Sequence, residues 1–326
     1  MARYELEMRA AIRAAREAAL LTRLIADGMA PEVLEKRDRS PVTLADFGSQ
    51  ALVCRALAEA FPADPIVGEE ESAELSQKEQ AGMLSRLVAA VGRVAREATA
   101  RDVLAWLDRG GAEASAGRFW TLDPIDGTKG FLRREQYAIS LALVVDGEVV
   151  VGALGCPNLE LPAGGARGAL FTAARGQGAW QRPLYGDGPA AAVRVSREAD
   201  PRCLRFCEPV EKEHSSHGDA ARIAKRLGIA AAPVRLDSQA KYAVVARGEA
   251  EAYLRLPKSA DYVEKIWDHA GGAIVVEEAG GKVTDVMGHP LDLTCGRTLS
   301  KNRGVVASNG ALHEALLAAI RDLGIA

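Results

Sequence analysis

The chain has 326 residues, 48% of them apolar, 26% charged and only 5% aromatic. That composition builds a buried core and excludes a disordered, collagen-like or disulfide-scaffold chain, while the length corresponds to two domains or one large sandwich. Against 41 basic residues stand 44 acidic ones, for a net charge of −3, so no overall positive field exists to hold a nucleic acid or an anionic membrane, and any anionic ligand has to be bound locally.

Residues 1–28 read as a helix, with Leu20, Leu21, Leu24 and Ile25 at helical spacing, Gly28 as the stop and Pro31 beyond it. Its start interleaves Arg3, Glu5, Glu7, Arg9 and Arg13, which is not the apolar stretch of a secretory leader. Thr43 is placed to cap a second helix whose apolar face is Leu44, Phe47, Ala51, Cys54 and Ala58. Ile66-Val67 forms a short strand entering Gly68-Glu69-Glu70-Glu71, and the Ala-rich stretch 72–117 is expected to be helical and to cover a sheet.

Phe119 to Leu122 reads as a buried strand delivering Asp123 to a sheet edge, followed by the turn Pro124-Ile125-Asp126-Gly127. Strands at Tyr137–Val145 and Glu148–Leu154 flank Asp146-Gly147, the strongest hairpin signal in the chain, and strands near Ala169–Ala173 and Ala179–Gln181 extend an antiparallel sheet. The longest strongly apolar run is Tyr137–Val145, nine residues, far short of the roughly 20 that cross a bilayer. Pro183–Pro189, rich in Gly and Pro, divides the chain into residues 1–189, an α+β domain, and 190–326, an α/β domain. In the second part, strands near Val193, Leu204, Val234, Tyr253, Val283 and Val305 alternate with helices near 217–227, 239–247, 267–279 and 310–323, the pattern of a sheet covered by helices. Five scattered cysteines, Cys54, Cys156, Cys203, Cys207 and Cys295, fit a reducing compartment better than a disulfide framework, so a cytoplasmic protein with mostly buried thiols is expected.

Four carboxylates stand where the chain exposes them: Glu69 after a strand, Asp123 at a strand end, Asp126 in a tight turn and Asp268 at a helix start. Taken singly, such residues ordinarily cap helices and turns. Together, oxygen donors on short stems suit Mg²⁺ or Mn²⁺ rather than zinc. In Asp123-Pro124-Ile125-Asp126-Gly127-Thr128 the Pro and Gly double the chain back, so that both carboxylates and the Ile125 carbonyl face one ion while the Gly127 and Thr128 amides hold phosphate oxygens. A phosphatase that forms a phospho-aspartate needs Asp-x-Asp, and the residue two before Asp126 is Pro124, which argues against that chemistry. Cys203, Cys207, His214 and His217 imitate a zinc set, but the loop between the pairs is too short for a finger. Cys203 and Cys207, four apart, would share one face of a buried strand. Tyr242 and Trp267 are expected in the core.

The Asp123–Thr128 string, Gly68-Glu69-Glu70, and Trp267-Asp268-His269-Ala270 with Gly280-Gly281 downstream resemble the inositol-monophosphatase superfamily of lithium-sensitive, Mg²⁺-dependent phosphomonoesterases. Within it, Ser40-Pro41-Val42-Thr43 with Asp46, Lys129-Gly130-Phe131-Leu132-Arg133, Gly155-Cys156-Pro157-Asn158, Leu236-Asp237-Ser238-Gln239-Ala240-Lys241-Tyr242 and Glu264-Lys265-Ile266-Trp267-Asp268 are similar to the 3′(2′),5′-bisphosphate nucleotidases. So is His214-Ser215-Ser216-His217, and the similarity runs in order from about residue 10 to residue 310.

The resemblance implies a layered α-β-α-β-α sandwich and two or three Mg²⁺ ions held by Glu69, Asp123, Asp126, Asp268 and the Ile125 carbonyl. It makes Asp46 and Thr128 the catalytic proton-transfer pair: a Thr hydroxyl donating to Asp46 can accept a hydrogen bond from a metal-activated water, which attacks phosphorus. His214, Ser238, Lys241, Arg255 and Asp268, with Gly127 and Thr128, would contact the substrate, with Asp237 or Ser238 capping the helix that carries Lys241. Read without the resemblance, Lys241 and Arg255 are solvated surface charges. The implied reaction removes the 3′-phosphate of 3′-phosphoadenosine 5′-phosphate, a step of sulfur metabolism, with no nucleic acid, membrane or obligate protein partner. The rivals are an inositol phosphate or histidinol phosphate phosphatase and, from another class, a non-catalytic nucleotide sensor.

Overall fold

The computed structural model describes residues 3–28, 33–35, 41–75, 81–114, 117–162, 164–210, 217–257, 259 and 262–325. Helix α1 (Glu5–Gly28) leads to a ribbon of β1 (Val33–Glu35) and β2 (Pro41–Thr43), then to α2 (Leu44–Ala60). Thr43 caps α2 as its residue type predicts: Thr43 Oγ1 accepts from Ala45 N and the Asp46 carboxylate accepts from Thr43 N. Alanine rather than leucine buries α1. Ala11, Ala14, Ala15, Ala18 and Ala19 are fully covered, whereas Leu20 and Leu24 are half-buried, because small side chains let the helix lie close against its neighbours.

Strand β3 (Ile66–Gly68) follows. The stretch expected to be helical from 72 to 117 is broken into a 3₁₀ turn at Ser72–Glu74, α3 (Ala81–Gly92) and α4 (Ala100–Asp108). A second capping box, Thr99 with Asp102, restarts the helix at α4. Then come β4 (Arg118–Asp126), α5 (Thr128–Leu132), β5 (Ala138–Val145), β6 (Glu148–Glu160), β7 (Arg167–Ala174), β8 (Ala179–Pro183) and β9 (Ala191–Val193). Asp146 and Gly147 make the two-residue hairpin turn with φ of 51° and 84°, the paired left-handed conformations that Asp-Gly is suited to supply. These strands form a seven-stranded sheet in sequence order from β3 to β9, antiparallel throughout except for the β3–β4 pair. The strand at Val193, expected to open the second half, is therefore the edge of the first sheet.

The remaining elements are β10 (Phe206–Glu208), α6 (His217–Leu227), β11 (Val234–Arg235), α7 (Ala240–Ala246), β12 (Ala252–Arg255), α8 (Ala270–Glu278), β13 (Lys282–Thr284), β14 (Val305–Ser308) and α9 (His313–Asp322). Their strands form a five-stranded sheet ordered β11-β10-β12-β14-β13. The strand expected near Leu204 begins at Phe206, after a 3₁₀ turn at Pro201–Cys203. Consequently Cys203 is exposed and only Cys207 is buried, so the two do not share a strand face. Among the described residues no helix is long and apolar enough to cross a membrane.

Period-two alternation sorts side chains into layers. On β4, Trp120 and Leu122 join the core under α1 and α2, while Phe119 joins the core between the sheets. On β14, Val305 and Ala307 face that central core, filled by α7 and α8, and Val306 faces α6 and α9 with Ile223, Leu316 and Ile320. The result is the α-β-α-β-α sandwich.

His313 is fully buried, its Nδ1 2.8 Å from Ser308 Oγ and its Nε2 2.9 Å from Thr284 Oγ1. Burial, then the nearby Lys282 charge, pushes its pKa down from 6.5 to about 4. The folded protein thus resists a proton that the unfolded chain accepts, so stability is intact above pH 6.5 and falls as the pH drops from 6.5 towards 4. The full penalty is about 3 kcal/mol. We expect urea unfolding of His313→Gln, compared with the parent at pH 7.5 and pH 4.5, to lose this component of the pH dependence. An identical pH dependence in both proteins would remove His313 as its source.

Candidate active site

Asp123 and Asp126 lie on β4, three residues apart, and in a regular strand they would point to opposite faces. The pairing with β5 sets Asp123 opposite Ser140 and Asp126 opposite Ala138, three steps on one strand against two on the other. This bulge at Pro124-Ile125 restores a common side. Ser49 Oγ donates to the Pro124 carbonyl at 2.7 Å and Ile125 N donates to Asp123 Oδ1 at 3.1 Å, fixing the bulge. Gly127 follows with φ 86° and caps α5, a conformation that glycine adopts without strain.

Glu69 arrives from the parallel neighbour. Gly68 of β3 is in register with Leu122, so the next residue of each strand, Glu69 and Asp123, leaves the sheet at the same level. The side-chain amide of Gln50 clamps the adjoining backbone, with Oε1 accepting from Glu70 N at 2.9 Å and Nε2 donating to the Glu70 carbonyl at 2.7 Å. Arg297 Nη2 donates to the Gly68 carbonyl at 2.7 Å. Asp268 closes a 3₁₀ turn, Ile266–Asp268, just ahead of α8, and Asp126 Oδ2 accepts a hydrogen bond from Gln239 N.

These carboxylates feel one another. Asp123 is 2% exposed, and burial, then the charges of Glu69, Asp126, Asp268 and Asp46, hold its pKa well above the usual carboxylate range. Asp268 is raised by burial, then by Asp126, with Arg255 opposing. Asp126 is raised by burial, with Lys241 opposing. An oxygen-only set, with Asp123 buried and Glu69, Asp126 and Asp268 half-buried, whose leading influences on Asp123 all have one sign, fits a hard divalent cation, which would convert mutual repulsion into coordination.

Beside this cluster Asp46 sits in the first turn of α2. Its Oδ2 accepts from Thr43 N at 2.8 Å and Thr43 Oγ1 at 2.6 Å, and its Oδ1 lies 3.3 Å from Thr128 Oγ1, which donates. The capping box therefore also orients the acid that meets Thr128.

The cationic residues behave otherwise than surface charges. Lys241 is 4% exposed, and its Nζ donates to the carbonyls of Ser238 at 2.7 Å and Leu236 at 3.4 Å. Burial lowers its pKa while Asp126 raises it. Arg255 Nε donates to Glu264 Oε1 at 3.1 Å and Nη2 to the Tyr262 hydroxyl at 3.3 Å. Ser238, at φ 69°, accepts from Ala240 N at 3.1 Å, whereas Asp237 pairs with Arg133 and accepts from Val210 N at 3.2 Å. Ser238, not Asp237, thus covers the first turn of α7. The Lys241 ammonium converges on the loop before its own helix rather than on an open anion. His214 lies outside the described residues.

Sequence reasoning gave Gln239, Glu264 and His269 no role beyond their place in the family motifs, and it passed over Gln50. Burial raises the pKa of Glu264, but hydrogen bonds from His269 and Arg255 outweigh it and hold the group at about 2. Ligand atoms of Glu264, Asp268 and His269 lie within 4.8 Å of one another. His269, however, spends Nδ1 on the Tyr242 hydroxyl at 2.7 Å and Nε2 on Glu264 at 3.2 Å, so the group is a hydrogen-bonded support beneath Asp268. Tyr242 and Trp267 are core, as expected. A cavity of about 480 Å³ lies on the far side of this turn, walled by Val149, Ile266, Ala273, Leu291 and Leu293, and none of the clustered carboxylates lines it.

Comparison with known proteins agrees with this geometry. The model of the inositol monophosphatase family matches residues 4–324. A 3′(2′),5′-bisphosphate nucleotidase of Emericella nidulans is 42% identical, covering 98% of this chain and 99% of that protein. Its counterpart from Schizosaccharomyces pombe is 44% identical over 97% of this chain and 95% of that one. Among solved structures, the IMPase of Thermotoga maritima has a TM-score of 0.68 at 21% identity, covering 97% of each chain. SuhB of Mycobacterium tuberculosis gives 0.62 at 22% identity, covering 98% of this chain and 97% of the other. With a bulged Asp-Pro-Ile-Asp strand, a five-layer sandwich and full-length similarity in agreement, the chain belongs to the inositol monophosphatase family.

Proposed function

We propose that the protein is a divalent-cation-dependent phosphomonoesterase that removes the 3′-phosphate of 3′-phosphoadenosine 5′-phosphate, giving AMP and phosphate. The meeting of Glu69, Asp123, Asp126 and Asp268 beside the Asp46–Thr128 contact carries the chemistry. The substrate follows from the names of relatives 42% and 44% identical over nearly the whole chain. Glu69, Asp123, Asp126, Asp268 and the Ile125 carbonyl hold two or three Mg²⁺ ions. Gly127 and Thr128 amides face the phosphate being removed. Ser238, Lys241, Arg255 and Asp268, with His214, contact the nucleotide, Lys241 by holding the Leu236–Ser238 loop and lending it positive potential. In this division residues 1–189 supply most metal ligands and 190–326 the nucleotide contacts, the chain changing sheets after β9.

When bound, the ions neutralise the carboxylates, polarise the phosphoryl group and supply a nucleophilic water at neutral pH. The protein moves the proton. Thr128 Oγ1 gives its hydrogen to Asp46 Oδ1 and so turns a lone pair towards the attacking water, whose proton it accepts as its own passes to Asp46, while the bond from phosphorus to the ribose 3′-oxygen breaks and that oxygen takes a proton from water. Thr43, bonded to the other oxygen, keeps Asp46 in place. Incubation with 3′-phosphoadenosine 5′-phosphate and Mg²⁺ should yield AMP and phosphate, with EDTA abolishing and lithium inhibiting release. Adenosine 3′-phosphate as the product would show that the wrong phosphate had been assigned to the metal cluster.

A further inference from the structure

Gln239 is 2% exposed, and its polar atoms reach the surroundings of three aspartates at once. Its backbone N–H donates to Asp126 Oδ2. Its Oε1 accepts from Ser140 Oγ at 2.9 Å and from Gly272 N at 3.1 Å, and Ser140 is the register partner of Asp123. Its Nε2 donates at 2.9 Å to the carbonyl of Trp267, the residue before Asp268. Asp123 and Asp126 share the bulged strand β4, whereas Asp268 stands in a 3₁₀ turn leading into α8, and no regular element sets the spacing between that turn and the strand. A Cβ on Gly271 would run into Ser140 Oγ and one on Gly272 into the Tyr242 ring, so the glycine pair makes the room that brings α8 within reach of the amide.

We infer that Gln239 is the positioning residue that sets Asp268, ahead of α8, at metal-binding distance from Asp123 and Asp126 on β4. An amide suits the post because it offers two acceptor lone pairs and a donor without adding charge to an already acidic cluster. Removing the side chain leaves the Asp126 contact, which is backbone, and frees Ser140 and Trp267, so the ligand set widens rather than loses a member. Partners of this kind behind metal ligands typically account for about 10–100-fold in metal affinity.

The inference rests on the aspartates being the metal ligands. It is tested by measuring Mn²⁺ binding calorimetrically and by electron paramagnetic resonance in the parent, Gln239→Met and Ser140→Ala, together with melting temperatures in EDTA and the Mg²⁺ dependence of phosphate release. Gln239→Met keeps most of the volume and should weaken Mn²⁺ at least tenfold, raising the Mg²⁺ concentration for half-maximal rate while leaving most of kcat at saturating Mg²⁺. Ser140→Ala, which removes one of the bonds and keeps the fold if Gln239→Met does not, should weaken Mn²⁺ several-fold. A lower melting temperature in EDTA with unchanged Mn²⁺ affinity in both variants would make Gln239 merely structural and overturn the inference. Failure of the parent to bind Mn²⁺ would instead overturn the metal site itself, and the inference with it.

Discussion

Thr128→Ala is expected to lower kcat by about 10²–10⁴-fold, the usual worth of a positioned proton acceptor, while leaving the dissociation constant of the bisphosphate nucleotide within a few-fold of the parent. Thr128 Oγ1 sits 3.3 Å from Asp46 Oδ1, and the alanine keeps the backbone amide proposed to hold phosphate. Asp46→Asn tests the same pair from the other side. The Asn oxygen can replace Oδ2 in accepting from Thr43 N and Oγ1, which leaves the amide nitrogen towards Thr128. That nitrogen is a donor, so the hydroxyl must turn its own hydrogen away, and its lone pair no longer meets water. A comparable loss of kcat is expected, with Thr128→Ser recovering much of the parent rate. Undiminished turnover in Thr128→Ala, measured by single-turnover phosphate release, would remove the pair from the reaction.

Asp123→Asn is expected to make the protein more stable and inactive together. Asp123 is buried among Glu69, Asp126, Asp268 and Asp46, so its ionised form costs stability in the metal-free protein. Because the folded pKa is the raised one, that cost grows as pH rises above the ordinary carboxylate range. Deleting the charge should raise the melting temperature in EDTA at pH 7.5, at about 1.5 °C for each kcal/mol recovered in a chain of this length. In Mg²⁺ the order reverses. A ligand present at about a hundred times its dissociation constant stabilises the parent by about 2.7 kcal/mol, and the variant, lacking a ligand, forfeits most of that along with activity. A variant that melts lower than the parent in EDTA and still gains the same increment from Mg²⁺ would remove Asp123 from the ligand set.

Much of this was legible because it is local. Asp146-Gly147 can make its turn in few other ways, and Thr43 announces its cap within the same few residues; the Asp123–Thr128 string announces a bend, but β4 runs on to Asp126 and makes it by a bulge where a turn was expected. The five layers came from the family resemblance, and the period-two alternation of the strands agrees with them, as on β14 with Val305, Val306 and Ala307. What escaped depends on partners far along the chain. Gln239 stands in a family motif without a role of its own, and nothing nearby announces Ser140, 99 positions away, or Gly272, 33 away. Lys241 and Arg255 were weighed as surface charges because Asp126 and Glu264, which share their buried surroundings, are remote or unremarkable in sequence. The strand at Val193 joined the first sheet because pairing with Ala179 outranks the compositional break at Pro183–Pro189. Cys203 was misplaced by assuming that the strand holding Cys207 began earlier, where Pro201 instead opens a 3₁₀ turn.

The most direct measurement is phosphate release in Mg²⁺ from 3′-phosphoadenosine 5′-phosphate, inositol 1-phosphate and inositol 1,4-bisphosphate in parallel, each with and without lithium. The carboxylate cluster with Arg255 and the Ser238–Lys241 loop predicts strong preference for the nucleotide and inhibition by lithium. Preference for an inositol phosphate would contradict the nucleotide assignment, and tight nucleotide binding without phosphate release from any of the three would contradict catalysis itself.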